Sequence, residues 1–495
     1  MKRFFSAPIL PLVAAAALRL LFVLRYPATG GDTVLYEQFA SNWLKLGKFA
    51  MNIAGEPTPV DLRMPGYPAF LALVYAVTRR TAEAARLPVM LAQVLVDLAT
   101  CVLIAALAAS LARLCRESDP RRTFLFALWL AALCPFTANY VAVPLTEVWA
   151  ILFSALAFLL LVLLVMLVNG DSLRLPGGKL LEQRHAWAVA AFVGMAVGLG
   201  TLMRPETPLL LVTTFVALAF WKLRPQQVRR WLLLFMVMGI ACVAPLVPWT
   251  IRNALTLHEF QPLAPKDTTL PSEVDPKGFV AWEKTWLYRV RDCYLVSWKL
   301  NDEEIRMEDI PDDAFDTREE RDRVAAVLET YNDEITWTAE EDAVFARLAR
   351  ERTARHPLRT YLWIPLRRAG RIWFTPRIEL LPVSGHVFPL AYQRQEDPVD
   401  QEITILFFLG NLVYVALALW GTRKLWPCQN ARPALAVLLL YALVRTAFLT
   451  TLETPEPRYV LECFPAVIAL AAQVLANHSR PTGTPHTSHA ERMPA

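Results

Sequence analysis

Charge is what this chain has least of. Of 495 residues, 19% are Asp, Glu, Lys or Arg, while 55% are hydrophobic. Ordinary soluble domains carry about 25% charged residues, so a water-soluble globular chain is a poor description. The formal net charge is only +5 and no polybasic stripe occurs, which removes the electrostatic footprint of a nucleic-acid binder. The seven cysteines contain no C-x-x-C pair, and the seven histidines show no metal-ligand spacing, so neither zinc nor a disulfide framework is indicated. Gly177-Gly178 lacks both the Lys-Ser/Thr of a phosphate loop and the second half of a dinucleotide fingerprint. Any activated donor must therefore arrive activated on something other than a bound nucleotide.

What the chain does have is long apolar runs, with the length that a bilayer about 30 Å thick demands. Spans are expected at 7–27, 88–111, 123–140, 145–168, 186–203, 207–221, 231–249, 402–420, 433–451 and 458–476. The fold class is all-α, a polytopic helical membrane protein of about ten transmembrane helices with juxtamembrane helices and one mostly helical extracytoplasmic insert. Met1-Lys2-Arg3 and the apolar run after it are expected to remain as a first span rather than a cleaved signal, because Arg19 interrupts the run. Residues 66–77 are too short to cross and are expected to form a juxtamembrane or re-entrant helix. With ten spans the basic loops sort to the cytoplasm: Arg113 and Arg116, Arg121 and Arg122, Lys179 and Arg184, Lys222, Arg224, Arg229 and Arg230, and Arg423 and Lys424. Residues 28–87, the turns at 138–146 and Met203-Arg-Pro-Glu, the segment 250–401 and the acidic turn after Thr451 then fall outside.

Four regions follow: an N-terminal transmembrane module, 1–249, carrying the outer loop 28–87; an extracytoplasmic helical segment, 250–401; C-terminal transmembrane helices, 402–476; and a polar, disordered cytoplasmic tail, 477–495. Within the insert, Thr338-Ala-Glu-Glu reads as a capping box opening a helix that ends before His356-Pro357. Leu358 to Phe374, where aromatic and aliphatic residues alternate with arginines, suits an interfacial helix broken near Pro365.

In the first outer loop, Leu35, Phe39, Asn42/Trp43 and Leu46 recur at helical spacing, with Asp32 at the start of an amphipathic surface helix. That carboxylate could serve as a general base for an acceptor hydroxyl, or simply cap the helix. Arg63, in Asp61-Leu-Arg-Met-Pro-Gly-Tyr-Pro, could pair with Asp61 or grip a phosphate oxygen with its fork. Arg204, Arg252 and Arg458 all sit at outward span ends, against the positive-inside tendency, and each needs a local anion there. A shared lipid phosphate would supply one; pairing with Glu206, Glu453 or Glu456, or snorkelling to lipid phosphates, is the plainer reading.

The order of these elements resembles the GT-C glycosyltransferases, in particular the RgtA/B/C/D-like family related to protein O-mannosyltransferases and lipid A aminoarabinose transferases. The elements are Gly31-Asp32-Tyr36-Ala40, Arg63-Pro65-Gly66-Tyr67-Pro68, Pro135-Tyr140 with Thr146-Glu147, Gly198-Leu202-Arg204-Pro205, Pro248-Trp249-Ile251-Arg252-Asn253 and Glu456-Pro457-Arg458-Tyr459. The resemblance implies an inverting transfer of a sugar from a polyprenyl-phosphate-linked donor to an extracytoplasmic acceptor (lipid, glycan or protein), at the outer face of the inner (plasma) membrane. It implies Asp32 as general base and Glu147 as a second catalytic acid that orients the acceptor or shares a proton, although a carboxylate at the mouth of a span could simply neutralise an arginine. Arg63, Arg204, Arg252 and Arg458 are then donor-phosphate ligands, and Tyr36 and Tyr67 cavity residues. The expected partners are donor, acceptor and lipid bilayer, with no nucleic acid. No cofactor is called for, no metal ligands are assigned, and a divalent metal stays open. The alternative is a transporter or flippase of a polyprenyl or glycolipid phosphate, although transporters usually place ionisable groups at the midplane in repeated halves, which are not found here. A non-enzymatic scaffold would not need the outward arginines.

Overall fold

The computed structural model describes residues 8–117, 119–174, 180–219, 225–265, 273–383, 387 and 397–476. The tail 477–495, Lys179, Lys222 and Arg224, and Gly177-Gly178 lie outside the described residues. The N-terminal half runs α1 (Ile9–Arg25), α2 (Thr33–Leu46), a hairpin of β1 (Ala50–Ile53) and β2 (Glu56–Pro59), α3 (Gly66–Thr78), α4 (Arg86–Leu114), α5 (Pro120–Leu133), α6 (Glu147–Val168), α7 (Ala186–Thr201), α8 (Leu209–Ala219), α9 (Pro225–Val243) and α10 (Val247–Thr256). The insert holds α11 (Lys277–Glu283), α12 (Val290–Leu295), α13 (Arg318–Glu334), α14 (Ala339–Arg355) and α15 (Ile364–Trp373). The chain returns through α16 (Pro398–Leu425), α17 (Arg432–Thr450), a tight helical turn at Pro457–Cys463 and α18 (Phe464–Ala471).

Each expected span is found as a helix, and the architecture is that of a polytopic helical membrane protein. Six helical stretches among the described residues are long and apolar enough to cross a bilayer, and α5 with its continuation to Ala142, bent by 52°, would make a seventh. The other three expected spans, α1, α7 and α8, hold 17, 16 and 11 residues and fall short of that criterion. α3 has 13 residues and reaches only about 20 Å.

The bend after α5 has a local cause. Pro135 supplies no N–H to the preceding turn, which frees carbonyls at the end of α5. The buried Arg19 guanidinium takes them up, donating to the carbonyls of Ala131 (3.0 Å) and Ala132 and to Asp97 at 2.6 Å. Arg19, which in the sequence only interrupts an apolar run, thus ties α1 to α4 and α5. Elsewhere small residues let backbones touch, as expected of helices packed in lipid. A Cβ on Gly421 of α16 would collide with the Leu470 carbonyl of α18. Gly421→Ala should therefore cost about 1–3 kcal/mol or more, read as a lowered midpoint of thermal unfolding in detergent.

α2 forms as expected, but its buried face is Thr33, Tyr36, Glu37, Phe39 and Ala40, with Leu46 exposed. The helix is rotated by about one position because it packs on α3, and because buried Glu37 reaches Arg86 at the start of α4 (2.7 Å). The insert builds its own core from Trp282, Trp286, Trp337, Phe345 and Leu348. The capping box at Thr338 and Glu341 is present. The break expected at Pro365 lies upstream, as a wide π-turn over Arg359–Trp363 with Pro365 in the first turn of α15. There its missing N–H costs nothing within the helix. Leu358, Tyr361, Leu362, Trp363 and Leu366 stay exposed, an apolar face suited to an interface.

One buried acid makes the insert pH-sensitive. Glu283 is fully buried, accepts from Ser297 Oγ, and leaves Oε2 unpartnered among the described residues. Burial pushes its carboxyl up to about 8. Between the ordinary carboxyl range and pH 8 the unfolded chain ionises Glu283 while the folded insert keeps it protonated, so this contribution to stability fades as pH rises through 8. The expected result is a midpoint of unfolding that falls from pH 5 to pH 9 in the wild type and falls less in Glu283→Gln.

Candidate active site

The ends of α2, α6 and α7 and the turn before α18 converge on one cavity. Asp32 stands at the N-cap position just before α2 with helical backbone angles, yet its carboxylate makes no capping bond. Its Oδ1 instead accepts from Arg63 Nη2 at 2.8 Å, and the two side chains are 29% and 33% exposed. Arg63 pairs with Asp32 rather than Asp61. Burial pushes the Asp32 carboxyl up, but the guanidinium of Arg63, with Arg458 and Arg204 farther off, outweighs it and holds the group below its usual range.

Behind this pair lies a buried network. Arg204, just past α7, donates to Glu147 Oε1 (3.1 Å), to Thr146 Oγ1 (3.2 Å) and to Glu462 Oε1 (3.4 Å), and lies 3.7 Å from Glu206. Arg458 reaches the same Glu147 oxygen at 3.4 Å and pairs with Glu456. The Tyr459 ring lies against both guanidinium groups, 4.8 Å from Arg204 and 5.3 Å from Arg458. Arg445 of α17, wholly buried, closes the network by donating to Glu462 (2.6 Å) and Glu206 (3.3 Å).

The cavity encloses about 800 Å³. Asp32, Tyr36, Arg63, Arg204, Glu206 and Arg458 give its lining charged and polar groups, and Pro208, Leu209, Val212, Phe448, Leu449 and Leu452, in or next to α8 and the end of α17, give it apolar ones. The insert contributes Lys284, whose ammonium lies 3.4 Å from Glu453, also a lining residue. Arg368 of α15 holds the insert in place by donating to the carbonyls of Leu287 (2.8 Å) and Thr450 (3.1 Å), the latter at the end of α17.

Two kinds of solved structure are similar to this one. The archaeal oligosaccharyltransferase AglB from Archaeoglobus fulgidus, in complex with an inhibitory peptide and a dolichol-phosphate, aligns over 94% of this chain and 50% of its own, at 13% identity and a TM-score of 0.47. ArnT from Cupriavidus metallidurans bound to undecaprenyl phosphate aligns over 94% of this chain and 77% of its own, at 12% identity and a TM-score of 0.38. The chain thus spans half the length of the oligosaccharyltransferase. No family model matches the chain, and no curated protein matches it in sequence.

Of the expected site residues, Asp32, Tyr36, Arg63, Arg204 and Arg458 meet at the cavity. Glu147 sits behind it, 2% exposed, where it bridges Arg204 and Arg458. Tyr67 is buried away from the cavity, donating to Gln93 (2.8 Å) and supporting the Tyr36 ring edge-on at 5.2 Å. Arg252 does not join the site: it donates to the carbonyls of Phe49 (2.6 Å) and Val60 (2.9 Å), so its fork is spent on fixing the hairpin against α10. The anions that Arg204 and Arg458 require are carboxylates of the chain itself. Arg445, Glu462 and Lys284 were not foreseen, and Tyr459 was noted only as part of the Glu456-Pro457-Arg458-Tyr459 element; the signal for the first two was a charge inside an apolar span, which is costly without a partner or a task. Among the described residues no group of three or more His, Cys, Asp or Glu is placed to hold a metal ion.

Proposed function

We propose that this protein is a membrane glycosyltransferase that moves a sugar from a polyprenyl-phosphate-linked donor to an extracytoplasmic acceptor with inversion at the anomeric carbon. The observation that carries this reading is one cavity lined both by an ion-paired carboxylate and guanidinium cluster and by apolar side chains of α8 and α17, a lining that suits a lipid-linked anion. The prenyl chain lies along Leu209, Val212 and Phe448, and the phosphate reaches the charged lining. The acceptor oxygen attacks the anomeric carbon as its proton passes to Asp32; the carbon–oxygen bond to phosphate breaks, and the charge on the departing phosphate is met by Arg458, Arg204 and Lys284.

Arg63 links the two halves of this step. While it pairs with Asp32 the carboxylate is a weak base; drawn toward the donor phosphate, it frees Asp32 and lets its proton affinity rise. Glu147 acts by positioning the two arginines. On the ten-span reading, the cavity faces away from the cytoplasm at the inner membrane, with 1–249 and 402–476 forming the membrane module and 250–401 the insert over its mouth.

The test uses purified protein in nanodiscs with an undecaprenyl-phosphate sugar and an envelope extract as acceptor. Appearance of the sugar on an acceptor with inverted linkage supports the reading. Movement of the intact donor across a vesicle bilayer, with no sugar transferred, overturns it in favour of a carrier.

A further inference from the structure

The C-terminal end of α15 is tied to two spans. Trp373 Nε1 donates to Thr446 Oγ1 of α17 (2.8 Å), and the Trp373 carbonyl accepts from Asn411 Nδ2 of α16 (2.6 Å). Asn411 and Thr446 each stand about 20 Å of helix from the far ends of their spans, where Arg423, Lys424 and Arg432 mark the membrane boundary opposite the cavity. With a hydrocarbon core about 30 Å thick, Trp373 lies about 10 Å below the boundary on the cavity side. From there the helix climbs. Arg368 meets the carbonyl of Thr450, the last residue of α17 (3.1 Å), and Trp363 stands about 15 Å above Trp373. Only the first half of the expected interfacial helix therefore lies at the surface.

That depth puts each exposed side chain where a bilayer suits it. Leu358, Tyr361, Leu362, Trp363 and Leu366, 53% to 74% exposed, fall at the boundary, where apolar side chains and amphipathic rings gather. Arg367, also exposed, is held at that level between the rings of Tyr288 (4.8 Å) and Trp363 (5.4 Å), with Asp313 at 3.7 Å. Arg371, one turn deeper and exposed, forms no ion pair among the described residues. An arginine inside a leaflet reaches up for an anion, and lipid phosphates supply anions all along that boundary. A protein partner offering carboxylates to Arg371 would have to bury them below the boundary, which is costly.

We propose that residues 358–371 seat the insert on the cavity-side leaflet, with the apolar face at the acyl boundary and Arg367 and Arg371 on the phosphates of anionic phospholipid. The seat sets the height of Lys284 at the cavity, because Arg368, between the two arginines, donates to the Lys284 carbonyl (3.4 Å). It stands whether or not the chain transfers sugar.

Depth is read from nitroxide labels on Leu362→Cys and Glu329→Cys, in the full chain at one copy per nanodisc of phosphatidylethanolamine and phosphatidylglycerol. The wild type, treated identically, gives the background of its own cysteines. The label at 362 should collide more with oxygen than with a water-soluble nickel chelate, and the label at 329, on the exposed side of α13, should do the reverse. The phosphate contact is read from phosphatidylglycerol titrated onto the chain in detergent and counted by native mass spectrometry. Arg371→Gln should weaken that binding about fivefold, the usual worth of one basic side chain at an anionic surface, and Arg323→Gln, an exposed arginine of α13, should leave it unchanged. Equal access of the chelate to both labels overturns the seat. Shielding of position 362 that appears only with two copies in a disc also overturns it, and assigns the face to a second copy of the chain. Phosphatidylglycerol binding that is unchanged in Arg371→Gln, or weakened as much by Arg323→Gln, overturns the phosphate contact.

Discussion

Asp32→Asn should reduce sugar transfer by about 10²–10⁴-fold, the usual worth of a positioned general base, while leaving donor affinity within about twofold of wild type. The substitution is informative because of what Asp32 does not do. An N-cap aspartate exchanged for asparagine keeps a good cap, and here the side chain makes no capping bond at all, so α2 has nothing of that kind to lose. What is lost is the acceptor of the acceptor's proton and the anionic partner of Arg63. The pair is partly exposed, so breaking it should shift stability by no more than about 1 kcal/mol. The measurement is turnover with a polyprenyl-phosphate sugar beside equilibrium binding of undecaprenyl phosphate. Wild-type turnover in the variant removes Asp32 as the base; a loss of turnover matched by loss of donor binding would reduce it to a residue that holds Arg63.

The pairing also decides the order in which the site must work. A carboxylate whose guanidinium partner holds it below its usual range is ionised at every physiological pH but has little appetite for a proton. Base strength is therefore expected only once the donor phosphate competes for Arg63. Arg63→Gln should uncouple these events, giving an enzyme with a weaker hold on the donor and a steeper dependence on pH near the ordinary carboxyl range, because Asp32 is no longer held down.

Asp32, Arg63, Arg204 and Arg458, which line one cavity, could be singled out in the sequence because each is a charge in a turn beside an apolar segment, where it is conspicuous against its neighbours. Their sharing of one cavity could not be read from any one segment, because it depends on how distant turns pack together. The same reasoning misplaced Arg252, since an arginine at a span end satisfies its fork equally well on a phosphate or on two carbonyls of a nearby hairpin, and periodicity along one helix says nothing about what a distant loop brings beside it. Arg445 and Glu462 were hidden for a different reason: averaging hydropathy over a span absorbs one charge, and only the packing of α17 beside the Pro457–Cys463 turn shows that the two neutralise each other. Lys284 comes from a segment with no periodic signal that points it anywhere.

The second large effect is expected at Arg204, and it should be one of folding as much as of chemistry. Arg204 is the cation on which Glu147, Glu462 and, more distantly, Glu206 depend, and among the described residues Arg445 and Arg458 share that load. Arg204→Met leaves buried carboxylates uncompensated, a change that typically costs about 3–5 kcal/mol. Glu147→Gln in the same chain should recover part of that loss, giving a coupling of about 0.5–3 kcal/mol in a double-mutant cycle because the two groups are in direct contact. Arg458→Met provides the contrast: Glu147 retains Arg204 and only Glu456 loses its partner, one buried carboxylate against the several that depend on Arg204, so the donor affinity should fall with a smaller loss of stability. Thermal unfolding in detergent and undecaprenyl-phosphate binding, measured on the wild type, the three single variants and the double variant, separate the two roles. If Arg204→Met unfolds at the wild-type temperature, Arg204 is not the keystone of the buried network, and its carboxylates must be held protonated or by Arg445 and Arg458 alone.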